Sequence, residues 1–134
     1  MIVADTNVIA ALFLASDRSE VAERVWRRDP TWYAPVLWRS ELRNVALRYF
    51  RCGLATLAQC EEAMAQARLA IPSVRTIESD DVLVLRMAAR FGLSTYDAEF
   101  AALAETLQVP LVSWDGRLLE RFAGRAVSPL DFLR

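Results

Sequence analysis

Four carboxylates, Asp5, Glu41, Asp97 and Asp115, each stand where a strand or loop hands over to a helix. An α/β sheet collects such handovers along one edge, so acids far apart in the chain would meet in one crevice. Clustered carboxylates repel one another and persist together where a cation sits among them. The chain has no histidine, and all 16 of its basic residues are arginine. Carboxylates and water without His or Cys suit a hard divalent ion and argue against zinc. If these acids do chemistry, the residue types point to a metal.

Each acid also has an ordinary reading. Asp5 or Asp115 could simply cap a helix. Asp97 could be the third-position acid of a capping box opened by Ser94, and Glu41 could complement a helix N-terminus. Taken jointly, four such acids on one edge would be costly without a counter-ion.

The elements that must position them follow from local pattern. Residues 2–5, IVAD, open the chain as a short apolar strand. Thr6 and Asn7 can cap a helix beginning near Val8. Ser19 can cap a second helix reaching Arg28, with Val21, Val25 and Trp26 inward, and Asp29-Pro30 ends it. WYAP at 32–35 reads as a strand. A helix from Val36 to Arg51 follows, with Leu42, Val45, Ala46, Tyr49 and Phe50 as its apolar stripe and Cys52-Gly53 as its stop.

Thr56 and Gln59 form a capping box for a helix to Leu69. Val74 to Ile77 is a short strand, Asp80 to Phe91 an amphipathic helix closed by Gly92, and Thr95 to Leu107 another helix. Pro110 to Trp114 is a buried-type strand, and Asp115 opens a helix through Phe122. Ala126-Val127 is an edge strand, and Ser128-Pro129 starts a final turn. Strands alternating with helices imply a parallel sheet covered on both faces.

The 134 residues suit one domain, large enough to bury roughly two-thirds of the unfolded surface. No linker, repeat or low-complexity tract divides it. The composition is 54% hydrophobic, with mean hydropathy +0.19, which leaves room for an apolar face awaiting a partner. Net charge is −1. With the four acids set aside, 16 arginines face 13 of the 17 acids, a balance of +3, and arginine forks well onto phosphate oxygens. Cys52 and Cys60 make neither a disulfide framework nor a metal knuckle. The apolar run Val8 to Ala15 is too short to span a bilayer, and no leader precedes it. A soluble, cytoplasmic protein without membrane contact is expected.

These residues resemble a known family. IVADTN at the start resembles the opening motif of PIN domains, whose first strand ends in a metal-binding Asp. RSELRN (39–44) is similar to the second motif, centred on Glu41, and LSTYDAEFAALAE (93–105) to the third, centred on Asp97. LVSWDGRLLERF (111–122) resembles the fourth, with Ser113, where Thr is usual, and Asp115 at its hydroxyl and acid positions. Length and layout, with the tail SPLDFL, are most similar to the VapC toxins of type II toxin–antitoxin modules.

The resemblance implies a single-domain three-layer α/β/α sandwich over residues 1–134, its five-stranded parallel sheet ordered 3-2-1-4-5. It implies a Mg2+- or Mn2+-dependent endoribonuclease, with Asp5 and Asp97 on the ion directly and Glu41 and Asp115 bound directly or through water. Thr6, Asn7 and Ser113 would hold the acids or touch phosphate. Arg39 and Arg43, flanking Glu41 in sequence, and Arg117 and Arg121, just past Asp115, are candidates to contact RNA; Arg86 and Arg90 read as solvated face. A homodimer and a cognate antitoxin are the implied partners. Trp26, Trp32, Trp38, Tyr49 and Phe50 read mostly as core, with some lining an antitoxin groove.

Several enzyme classes are excluded. Asp5-Thr6-Asn7 lacks the second Asp of an Asp-nucleophile phosphatase, and the missing lysine also rules out a receiver domain. The four glycines form no G-x-G-x-x-G. The remaining rivals are a DNA-directed nuclease, since PIN-like sites resemble those of DNA flap nucleases, and a catalytically silent PIN-like module that binds protein or RNA and whose acids only cap helices.

Overall fold

In the computed structural model, which describes residues 1–134, the central strand β1 (Ile2–Ala4) is apolar throughout and buried throughout. That is the mark of a parallel strand covered on both faces. The chain continues through α1 (Thr6–Phe13), α2 (Ser19–Arg28), β2 (Trp32–Pro35), α3 (Leu37–Arg51) and α4 (Leu57–Ala70) to β3 (Thr76–Ile77). It then returns through α5 (Asp81–Phe91), α6 (Thr95–Leu107), β4 (Leu111–Val112), α7 (Gly116–Arg121), β5 (Ala126–Val127) and α8 (Pro129–Leu133). All four strand pairings are parallel and the sheet order is 3-2-1-4-5.

The chain winds outward from β1 to β3, then crosses back to β4 and β5. Right-handed crossovers in opposite directions place their helices on opposite faces of the sheet. Accordingly α1 packs with α2, α3 and α4, while α6 lies across β1, β2 and β4 and pairs with α5. The single core includes Trp32, Trp38 and Phe100, all fully buried. No helix is long and apolar enough to cross a membrane.

Some local expectations shift. Helix α1 starts at Thr6, not Val8, because Asp5 itself is the N-cap and accepts from the Thr6 N–H at 2.7 Å. Ser19 caps nothing. Its hydroxyl turns back to accept from the Ser16 N–H and donate to the Leu14 carbonyl, so α2 begins without a side-chain cap. Val74 lies in a 3-10 turn over Ser73–Arg75 ahead of β3 and is exposed. Phe50 is not core: it is 45% exposed at the end of α3. The Thr56/Gln59 capping box forms as expected, and Gly92 ends α5 at φ +63, a left-handed position that suits glycine.

Candidate metal centre

Strand register builds the centre. β1 and β4 align Val3 with Leu111 and Ala4 with Val112, so the next step sets Asp5 beside Ser113 at the C-terminal edge. There the Ser113 hydroxyl donates to Asp5 Oδ2 at 2.6 Å. The same oxygen atom of Ser113 accepts from Asn7 Nδ2 at 3.3 Å and from the Asp115 N–H at 2.9 Å. Its one donor and two acceptor positions are therefore all used.

Asn7 also donates to Asp5 Oδ2 at 3.2 Å and accepts from the Trp114 N–H at 3.2 Å, which ties the start of α1 to the loop after β4. With Thr6 N–H on Oδ1 and two donors on Oδ2, the Asp5 carboxylate is fixed in orientation.

The other acids arrive from three helix starts. Glu41 lies in the second turn of α3, where its Oε1 accepts from the Thr6 hydroxyl at 2.8 Å. Asp97 lies in the first turn of α6. Ser94 caps that helix by accepting from the Asp97 N–H at 3.1 Å, but the Asp97 carboxylate does not close a capping box, unlike the completed pair at Thr56 and Gln59. Asp115 caps α7, accepting from the Leu118 N–H at 2.9 Å. Capping and clustering thus coexist at Asp5 and Asp115.

Electrostatics tie the four together. Burial, chiefly, pushes the Asp5 carboxyl up to about 7; the Ser113 and Thr6 hydrogen bonds pull against it, and the charges of Glu41 and Asp97 add to it. Glu41 is raised by burial, with Asp97 and Glu99 adding repulsion and the Thr6 hydroxyl opposing. Asp97 is raised by burial and by Asp115, while Ser94 and Arg117 pull it down.

The oxygen-only donor set and the mutual repulsion fit a hard divalent cation. Asp5, Glu41, Asp97 and Asp115 are the residues that could hold it. As the side chains stand, no three of them gather at coordinating distance around one point. The site is outlined rather than closed.

The candidate arginines separate. Arg117 acts on Asp97 and belongs to the crevice. The Arg121 guanidinium donates to the Gly92 carbonyl at the end of α5. Arg39 and Arg43 flank Glu41 in sequence, but a helix turns about 100° per residue. Positions two away in either direction therefore lie on the far side. Arg39 reaches Ser73 Oγ at 3.4 Å and lies over the Trp38 ring, and neither arginine is among the charges acting on Glu41.

One acid was missed. Glu99, two residues beyond Asp97, bears on Glu41; the only signal in the sequence was its place in the first turns of the same helix.

Known proteins resemble this chain over most of its length. A family model described as PIN domain matches residues 2–125. Ribonuclease VapC3 from Pyrobaculum aerophilum is 28% identical over 123 residues, spanning 90% of this chain and 94% of that protein. The crystal structure of PAE2754, also from Pyrobaculum aerophilum, aligns with a TM-score of 0.77 at 22% identity, covering 98% of this chain and 92% of that one. At that identity the likeness bears on the fold.

Proposed function

The chain belongs to the PIN-domain family, and from that premise we propose that it is a metal-dependent endoribonuclease, the toxin of a type II toxin–antitoxin module. One observation carries the reading. Asp5 is a buried carboxylate with a pKa raised to about 7, gripped by three donors and facing two further acids. A proton or a cation relieves charges so placed, and the oxygen-only donor set suits a hard divalent cation.

A bound Mg2+ or Mn2+ would offset charge developing on a phosphoryl oxygen and sharpen the acidity of a nearby water. Mg2+ commonly binds through one or two carboxylates and keeps several waters, which suits a site outlined by four acids that do not converge. Asp5 and Asp97 are the direct ligands in this reading, with Glu41 and Asp115 acting directly or through water.

The chain's own groups do the positioning. Ser113 and Asn7 hold Asp5 Oδ2 in one direction, and Thr6 aims Glu41 Oε1. Glu41, its affinity for protons raised, accepts a proton as water attacks phosphorus in line, the P–O3′ bond breaks and O3′ takes up a proton from solvent water. The products are a 5′-phosphate and a 3′-hydroxyl, and no 2′-hydroxyl nucleophile is needed. Arg117, beside Asp97, supplies a cation at the crevice rim for a phosphate.

The named relative is a ribonuclease VapC3, which supports RNA as substrate and an antitoxin as partner. A free apolar face supports the partner further. Phe50, Leu54 and Leu57 are exposed around the α3–α4 turn, beside a hollow of about 360 Å³ lined by Tyr49 and Leu54. A homodimer and a cytoplasmic setting go with this reading.

RNA incubated with wild type and with Asp5→Asn, in Mn2+ and in EDTA, tests the proposal. Cleavage by wild type in Mn2+ alone is expected. The silent-module reading draws on the capping roles of Asp5 and Asp115. Thermal stability unchanged by Mn2+, with no cleavage, would establish that reading instead.

A further inference from the structure

Between α5 and the loop before β5 lies a hollow of about 1000 Å³. Its floor is apolar, formed by Met87, Phe91 and Phe122, the two rings meeting edge to face at 5.1 Å. Its rim carries Arg86, Arg90 and Arg125. Arg125 is paired with Glu105 at 3.0 Å. Arg86 and Arg90, one turn apart on α5, are exposed and make no ion pair or hydrogen bond, and the Arg90 guanidinium carbon lies over the Phe91 ring, 4.8 Å from its centroid.

Two unpaired cations, Arg90 over an aromatic ring and Arg86 one turn away, suit an occupant that is anionic and has flat faces. Phosphate meets the guanidinium forks, and bases stack on guanidinium planes or rings.

Two arginines on α7 lie between the acids and the end of α5. Arg117 acts on Asp97 at the crevice. Arg121 is one turn further along the same short helix, about 6 Å along its axis, and it touches Gly92, the residue that closes α5 immediately after Arg90 and Phe91. Basic groups therefore follow one another from the crevice along α7 to the end of α5, whose last residues, Arg90 and Phe91, line the hollow.

We infer that this arginine-rimmed hollow is a second binding site for single-stranded RNA, holding the strand beyond the scissile bond while Arg117 and Arg121 carry it from the acid cluster. The inference rests on the nuclease reading for what happens at the acids. The path and the unpaired cations favour a strand over an acidic peptide, because only a strand would need both ends of the track.

The test uses the full chain carrying Asp5→Asn, so that RNA stays intact, with and without Arg86→Gln/Arg90→Gln. Fluorescence anisotropy with an unstructured oligoribonucleotide should show binding weakened roughly 10-fold by the double substitution. The slope of log K against log salt should become shallower by about 1.4, as two lost phosphate contacts require on a single strand. A matched substitution of two exposed arginines on α2, Arg24→Gln/Arg27→Gln, should change neither quantity.

In the otherwise wild-type enzyme, Arg86→Gln/Arg90→Gln should raise KM on long strands and leave kcat unchanged. It should have no effect on an oligonucleotide trimmed to a few residues around the cut. Equal affinity and equal salt slope with and without the two arginines overturns the site, as does an effect confined to oligomeric state in sedimentation. Failure of the nuclease reading is visible separately, as intact RNA with wild type in Mn2+, since the binding arm needs no cleavage.

Discussion

Replacing Asp5 by Asn should stabilise the metal-free protein at alkaline pH while disabling it. The carboxyl is raised from 3.8 to about 7, chiefly by burial. Below pH 4 folded and unfolded chains both hold the proton, and the group contributes nothing. Between pH 4 and 7 the unfolded chain releases the proton while the folded one retains it, so stability falls as pH rises and levels off above 7. Three pKa units correspond to about 4 kcal/mol.

The amide escapes that cost. It places its NH2 against the donors on Ser113 and Asn7, however, returning roughly 2 kcal/mol. The net expectation at pH 8 in EDTA is a gain of about 2 kcal/mol, or roughly 6 °C in Tm. Near pH 4.5 the advantage should vanish. Saturating Mn2+ should reverse the order, since a ligand at 100 times its Kd adds about 2.7 kcal/mol to the wild type. Thermal unfolding by circular dichroism at both pH values, with EDTA or Mn2+, reads all of this. The reasoning is refuted if the variant is less stable by the same margin at pH 4.5 and pH 8 in EDTA, because the buried charge would then carry no cost.

Three further outcomes follow from the same geometry. Asp97→Asn should lower RNA cleavage by about 10²–10³-fold with an unchanged far-UV spectrum, since its carboxylate closes no capping box. Thr6→Val removes the hydroxyl that donates to Glu41 Oε1 and holds that acid's pKa down; the acid limb of the cleavage pH profile should move to higher pH, and an unmoved limb would detach Glu41 from the proton transfer. Gly92→Ala forces a side chain into a left-handed turn at φ +63 and should cost about 1 kcal/mol, measured as a lower urea midpoint at constant m.

Much of the arrangement was legible because parallel sheets impose it. Once IVAD, WYAP and PLVSW read as strands, the helices that directly follow them start on one edge, which brings Asp5, Glu41 and Asp115 together whatever their spacing in the chain. Asp97, on a helix that follows another helix, is joined to them by the PIN resemblance. The order 3-2-1-4-5, implied by the PIN resemblance, adds that β1 and β4 are neighbours. Adjacency of Asp5 and Ser113 then follows from register alone. Boundaries were less legible where one residue serves two ends. Asp5 caps α1 and also faces the crevice, so choosing Thr6 or Asn7 as the cap misplaced the helix start by one turn at most.

The arginines were illegible for a geometric reason. Sequence neighbours of Glu41 look like its partners, yet on a helix a residue's spatial neighbours are three and four positions away. Arg39 and Arg43 are each two away, and the helix carries Arg39 round to Ser73, where the charges of Arg68 and Arg43 act on it. Arg117 succeeds where they fail because it follows an N-cap: Asp115 ends the extended segment, and the first turn of α7 keeps its side chains near the sheet edge. The same rule explains Glu99. It shares a helix start with Asp97, and both acids bear on Glu41. Charge proximity in this site is set by which helix start a residue belongs to and by its angle on that helix, and distance along the chain decides neither.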